Sequence, residues 1–143
     1  MKLKQVLVDT SIWVEYFRAN NNASVLKDLF DEDRVVINDV ILAELLPAMN
    51  LYAKKILIEK MRALECLPVF VNWEGIISLQ TQCLKQGVNG VGLPDLMIVQ
   101  TAIEYKIPIY SLDKHFEKLC PILKFDLYEH KYDAMNIIDE KTL

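Results

Sequence analysis

Apolar and polar positions along this chain fall into short blocks that switch between two periods. Val6-Leu7-Val8 is a continuous apolar run that stops at Asp9, after which Ile12, Trp13, Tyr16 and Phe17 recur at helical spacing. The pattern predicts a strand over 4–8 and a helix over 11–18. A turn at Asn20-Asn21-Asn22 follows, then a short helix over 24–30 and a second strand over 34–37. From Asp39, the residues Val40, Leu42, Ala43, Leu45 and Leu46 read as a helix as far as Pro47, with Glu44 inside it. A longer helix is predicted over 51–65, a short strand over 67–70 and a helix over 73–85. The stretch GVNGVGL, residues 87–93, holds three of the four glycines and opens on Pro94, a residue suited to a first helical turn. The helix it opens carries Met97, Ile98, Val99, Ala102 and Ile103 and stops before Pro108. Strands are predicted over 108–111 and near 123–127. Beyond Glu129, Ile137 and Ile138 stand among charges and no element is assigned. Strands alternating with helices predict an α/β domain with a mainly parallel sheet.

At 143 residues the chain has the size of one domain, 1–143, able to bury a core without staples. A hydrophobic fraction of 52% with evenly spread charge argues against disorder. Cys66, Cys83 and Cys120 form no CxxC pair, so neither a disulfide framework nor a zinc site is indicated, and they read as buried or half-buried thiols. No apolar run reaches the length of a membrane span, and Met1, Lys2, Leu3 and Lys4 lead into no signal-peptide core. The expectation is a cytoplasmic protein with no membrane partner. The net charge of −4 gives no basic footprint for nucleic acid. Four carboxylates gathered around cations would account for the whole excess of 20 acidic over 16 basic residues.

Four carboxylates do fall at suggestive places. Asp9 ends the first strand, where it reads either as a cap for the next helix or as a ligand pointing into a cleft. Asp113 follows the strand over 108–111, and Asp95 opens a helix. Residues just past the ends of parallel strands share one rim, where ligands bind in open α/β sheets. Glu44 lies among Leu42, Ala43, Leu45 and Leu46, which leave it little solvent face. Clustered like charges cannot all ionise without cations, and Mg²⁺ or Mn²⁺ suits oxygen donors. Two such ions can serve phosphoryl displacement. GxxxxGK[ST], GxSxG and HExxH are absent. A phosphoacceptor receiver domain wants an acidic pair after the first strand, and VLVDTS has one acid. Asp39 either joins the cluster or caps the helix it opens, the cap being the simpler reading. His115 is open to use as a general base but reads as a packing or surface residue beside Phe116. Trp13, Tyr16 and Phe17 have core or interface spacing, with RNA stacking the lesser reading, and Arg18, Lys114 and Lys118 lie near the motif segments, either to meet phosphates or to stand solvated and idle.

DTSIWVEYF, the glutamate of VILAELL, the start LPDLMIVQTA and SLDKHF, in this order, resemble the signature segments of PIN-domain nucleases, more narrowly the VapC-type toxins of toxin–antitoxin pairs. The likeness covers residue 5 to about 128. It implies a three-layer α/β/α sandwich and an Mg²⁺- or Mn²⁺-dependent endoribonuclease that leaves 5′-phosphate and 3′-hydroxyl ends. It also implies a small antitoxin partner, an RNA substrate and a homodimer. By position it assigns Asp9, Glu44, Asp95 and Asp113 to the acidic quartet. Asp9 and Asp95 are its direct metal ligands, Glu44 and Asp113 act directly or through water, and Thr10, Ser11 and Ser111 are supporting hydroxyls. Several relatives carry Ser or Thr shortly before the helix glutamate, where this chain has Asn38 and Asp39. The rival reading is a non-catalytic module of the same fold acting through protein contacts.

Overall fold

Short β-branched runs bounded by helix-forming sequence can bury both faces only as parallel strands under helices. The computed structural model describes residues 3–18 and 23–129, so the turn predicted at 20–22 and the segment holding Ile137 and Ile138 lie outside the described residues. In chain order the elements are β1 (Val6–Val8), α1 (Thr10–Arg18), α2 (Ala23–Asp31), β2 (Val35–Asn38), α3 (Asp39–Leu51) and α4 (Lys55–Ala63). Then come β3 (Glu65–Leu67), α5 (Trp73–Lys85), α6 (Leu93–Tyr105), β4 (Ile109–Tyr110) and α7 (Lys114–Leu123).

The sheet has the order β3-β2-β1-β4 with every pair parallel. It is the α/β architecture expected, a central parallel sheet flanked by helices. Val6, Leu7 and Val8 are each 0% exposed, which is why the first strand reads as an unbroken apolar run rather than an alternating one. From β1 the chain steps outward through β2 to β3, then crosses back to place β4 on the other side of β1. That reversal opens a crevice at the carboxyl ends of β1 and β4.

Several boundaries differ from those predicted. The strand expected over 67–70 is β3, two residues earlier, because Pro68 has no N–H for the ladder. The helix expected to stop at Pro47 continues to Leu51, and burial of Met49 offsets the ~3 kcal/mol of an interior proline. The helix expected over 51–65 shortens to α4, since Ala53 adopts a left-handed φ of 52° and turns the chain. The strand expected over 123–127 is reduced to one bridge, Leu127 to Ile109, because α7 occupies residues up to Leu123. That helix buries Phe116, Leu119 and Leu123, an i, i+3, i+7 stripe present in the sequence but interrupted by Pro121. Cys83 is buried and Cys120 half-buried as expected, but Cys66 is exposed because β3 is an edge strand.

The cap of α3 is Asn38, not Asp39. Asn38 Oδ1 accepts the Ile41 amide at 2.9 Å, and Asn38 Nδ2 donates to Thr101 Oγ1 at 3.2 Å. Asn38 is 0% exposed, so its amide fastens the start of α3 to the middle of α6. Asp39 points elsewhere, its Oδ1 accepting the Cys66 thiol at 3.4 Å. Asn38→Ala leaves the Ile41 amide without its acceptor inside the protein. A loss of about 1–3 kcal/mol in urea unfolding is expected. An unchanged midpoint would show that the bridge contributes nothing.

Candidate metal centre

The crevice between β1 and β4 is built around Asp9. The residue sits where β1 gives way to α1, and its carbonyl accepts the Ile12 amide at 3.1 Å, the first turn of the helix. Its side chain is 5% exposed, so the charge needs donors. Asp9 Oδ2 accepts the Ser11 hydroxyl at 2.9 Å, the Ser111 hydroxyl at 2.8 Å and, more distantly, the Ser11 amide at 3.4 Å. The amides of Leu112 and Asp113 donate in turn to the Ser11 and Ser111 hydroxyls, each at 2.9 Å. The two hydroxyls lie 3.1 Å apart, so both stand within donating distance of one carboxylate oxygen and of each other. Among the described residues no donor reaches the other, Oδ1, so that oxygen is available to a cation. The sequence left open whether Asp9 caps or binds; the two oxygens of one side chain allow both.

The other three carboxylates come to the same rim on separate elements. Thr10 Oγ1 donates to Glu44 Oε1 at 3.2 Å, which ties the start of α1 to α3. Asp95 stands in the first turn of α6 after Pro94, half-buried. Asp113 caps α7 by accepting the His115 amide at 2.9 Å on Oδ1. Burial pushes the Glu44 carboxyl above its ordinary value, and the charges of Asp9 and Asp95 add to this, while the Thr10 hydroxyl opposes it. Asp95 is raised in the same way, by burial first and then by Asp9 and Asp113, with His115 opposing. Each of the four acids therefore acts on at least one other.

Glu44 corrects an expectation. It lies on the solvent side of α3 with Ala43, Pro47 and Ala48, while Ile41, Leu42, Leu45, Leu46 and Met49 face the core. Its neighbours in sequence hide this because a helix turns by 3.6 residues, so adjacent apolar residues can point inward while Glu44 points into the crevice. His115 stands near two of these acids. Of the packing and surface roles expected for it, the surface one holds: its side chain is 57% exposed, beside Phe116 at 1%. Ligand atoms of Asp95, Asp113 and His115 lie within 4.8 Å of one another. The readable signal was the D-x-H spacing at a helix start. Hard oxygen donors and two carboxyls raised by burial, with neighbouring acids adding to it, together fit a divalent cation.

The sequence matches the PIN domain family over residues 6–120. The chain belongs to the PIN domain family. No curated protein sequence matches this PIN domain. Its fold is similar to a chain of FitAcB from Neisseria gonorrhoeae, with a TM-score of 0.68 and 20% identity over 87% of this chain and 97% of that one. It is also similar to VapBC2 from Rickettsia felis bound to a promoter DNA fragment, at 0.67 and 19%, covering 86% and 96%. DNA-bound VapBC from Salmonella typhimurium gives 0.64 and 16%, covering 88% and 98%. At these identities the likeness is one of fold.

A second feature of this PIN domain lies away from the acids. Trp13, Tyr16, Phe17 and Phe30 form an aromatic cluster with centroids about 6 Å apart, Trp13 to Phe30 being 6.0 Å. With Leu57, Met61 and Leu64 of the α4 region they line a groove of about 310 Å³. Among the described residues no helix is long and apolar enough to cross a membrane.

The raised carboxyls give a pH dependence. A carboxyl held above its unfolded value contributes stability below that value and loses it as pH rises through the folded one. Chelator-treated protein is therefore expected to lose melting temperature more steeply than Glu44→Gln as pH rises above the ordinary carboxylate range. Parallel curves for the two proteins would refute the raised Glu44 carboxyl.

Proposed function

We propose that this PIN domain is a metal-dependent endoribonuclease and the toxin of a toxin–antitoxin pair. The observation that carries the reading is the acid rim: Asp9 fixed by Ser11 and Ser111 with one oxygen open, next to Asp95, Glu44 and Asp113. Asp9 and Asp95 would hold Mg²⁺ or Mn²⁺, with Glu44 and Asp113 completing or orienting the donor set. When bound there, the ion would supply Lewis-acid polarisation of the scissile phosphoryl group and a more acidic attacking water. The chain's own part is preorganisation. Ser11 and Ser111 engage Asp9 Oδ2 and leave Oδ1 to a ligand, and Thr10 fixes the Glu44 carboxylate through Oε1. Arg18, Lys114 and Lys118 are exposed and suited to RNA phosphates.

Family membership and neighbours solved as VapBC and FitAB complexes support a protein partner. The aromatic groove beside α1 and α2 suits an apolar segment of such an antitoxin, with Lys60 at its edge for an acidic flank. Trp73, Ile77 and Leu84 of α5 are exposed and suit a homodimer contact.

The test is incubation of the purified chain, freed of antitoxin, with cellular RNA plus Mg²⁺, Mn²⁺ or chelator. Discrete metal-dependent products are expected, lost by at least about a hundredfold in Asp9→Asn with the fold retained. Cleavage by Asp9→Asn at the wild-type rate would remove Asp9 from the site. No cleavage by either protein would favour the non-catalytic reading.

A further inference from the structure

We infer that His115 supplies a nitrogen ligand to the cation held at the acid rim, and so shifts metal choice from Mg²⁺ toward transition ions such as Mn²⁺. The inference rests on the reading of the rim as a divalent-metal site and adds a residue and a selectivity to it.

Geometry is the starting point. His115 is the second residue of α7, one turn past the end of β4, and its amide is held by Asp113 Oδ1 at 2.9 Å. That capping bond fixes the backbone from which the imidazole projects. The ring itself has no hydrogen bond to the cap: Nδ1 is 3.7 Å from Asp113 Oδ1, beyond hydrogen-bonding distance. Its side chain is 57% exposed, so it contributes little to the core. Yet a ring nitrogen, an Asp95 oxygen and an Asp113 oxygen all lie within 4.8 Å of one another. Atoms ~2.1 Å from a single ion stand ~3 Å apart when adjacent and ~4 Å apart when opposite. Small side-chain rotations therefore bring all three onto one ion.

The chemistry follows from the donor. Carboxylate and water oxygens serve Mg²⁺ and Mn²⁺ about equally, whereas imidazole favours the first-row transition ions. Mg²⁺ also holds its waters tightly and gains little from exchanging one for a nitrogen. A rim of four carboxylates alone would leave the choice open. One nitrogen among them decides it.

The experiment is pulsed electron paramagnetic resonance on the full chain loaded with Mn²⁺, with Mn²⁺ and Mg²⁺ affinities measured by calorimetry, for wild type and His115→Ala. The exposed position makes folding of the variant straightforward to confirm by its melting curve. Wild type is expected to show modulation from a directly bound nitrogen. His115→Ala is expected to lose that signal and to bind Mn²⁺ on the order of tenfold more weakly, with Mg²⁺ affinity nearly unchanged. The chain has two histidines, His115 and His130, so a nitrogen signal that survives in His115→Ala overturns the assignment. Mn²⁺ bound with no nitrogen signal overturns it as well, and leaves the nuclease reading intact. Failure of wild type to bind Mn²⁺ at all overturns both.

Discussion

A buried carboxylate at the end of the central strand is the constraint around which this protein is arranged. At 5% exposure the Asp9 side chain must find its hydrogen bonds within the protein, and its donors come from both sides of the crevice: Ser11 from α1 and Ser111 from the end of β4. Those hydroxyls are in turn oriented by the Leu112 and Asp113 amides. Satisfying one charge thus locks the loop after β4 against the start of α1. The same loop carries Asp113 and begins α7. The need to solvate Asp9 internally is what brings the fourth carboxylate to the first.

The remaining two acids are placed by a different device. α3 carries Glu44 and α6 carries Asp95, and the two helices meet through Asn38 and Thr101, both essentially without solvent exposure. Asn38 caps α3 with its oxygen and reaches α6 with its nitrogen; Thr101 passes the contact on to the Met97 carbonyl at 2.9 Å. Buried polar side chains with all partners present are directional in a way apolar packing is not. Here they hold two carboxylates close enough that the Asp95 charge, after burial, helps to raise the Glu44 carboxyl. Such an arrangement is preorganised for a cation and strained without one.

Much of the fold was legible because burial on both faces leaves a plain mark. Val6-Leu7-Val8 and Val35-Val36-Ile37 are unbroken apolar runs, and α5 was recognisable to the residue from its period, its start fixed in the structure by Asn72, whose side chain accepts the Gly75 amide. Proline was read too strictly in one place and too loosely in another. At Pro47 the helix continues because Met49 still has a core to enter; at Pro68 the strand must stop because no N–H exists to extend the ladder. α7 was hidden by Pro121 although its buried stripe was present. Local rules register the cost of a broken hydrogen bond but not the burial that offsets it.

The sequence by itself determined the α/β class and the parallel sheet, and it singled out four acids and their neighbouring hydroxyls as candidates. Strand ends and helix starts are local events, and carboxylates at such points announce themselves. Only the tertiary structure decided which acids act on one another, that Glu44 reaches the crevice from the solvent side of α3, and that Asn38 rather than Asp39 caps that helix. It alone brought His115 beside Asp95, a residue on a different helix. The physical reason is the crossover that sets β4 beside β1: it makes neighbours of residues about a hundred positions apart, and nothing in the local period of either segment records that they will meet.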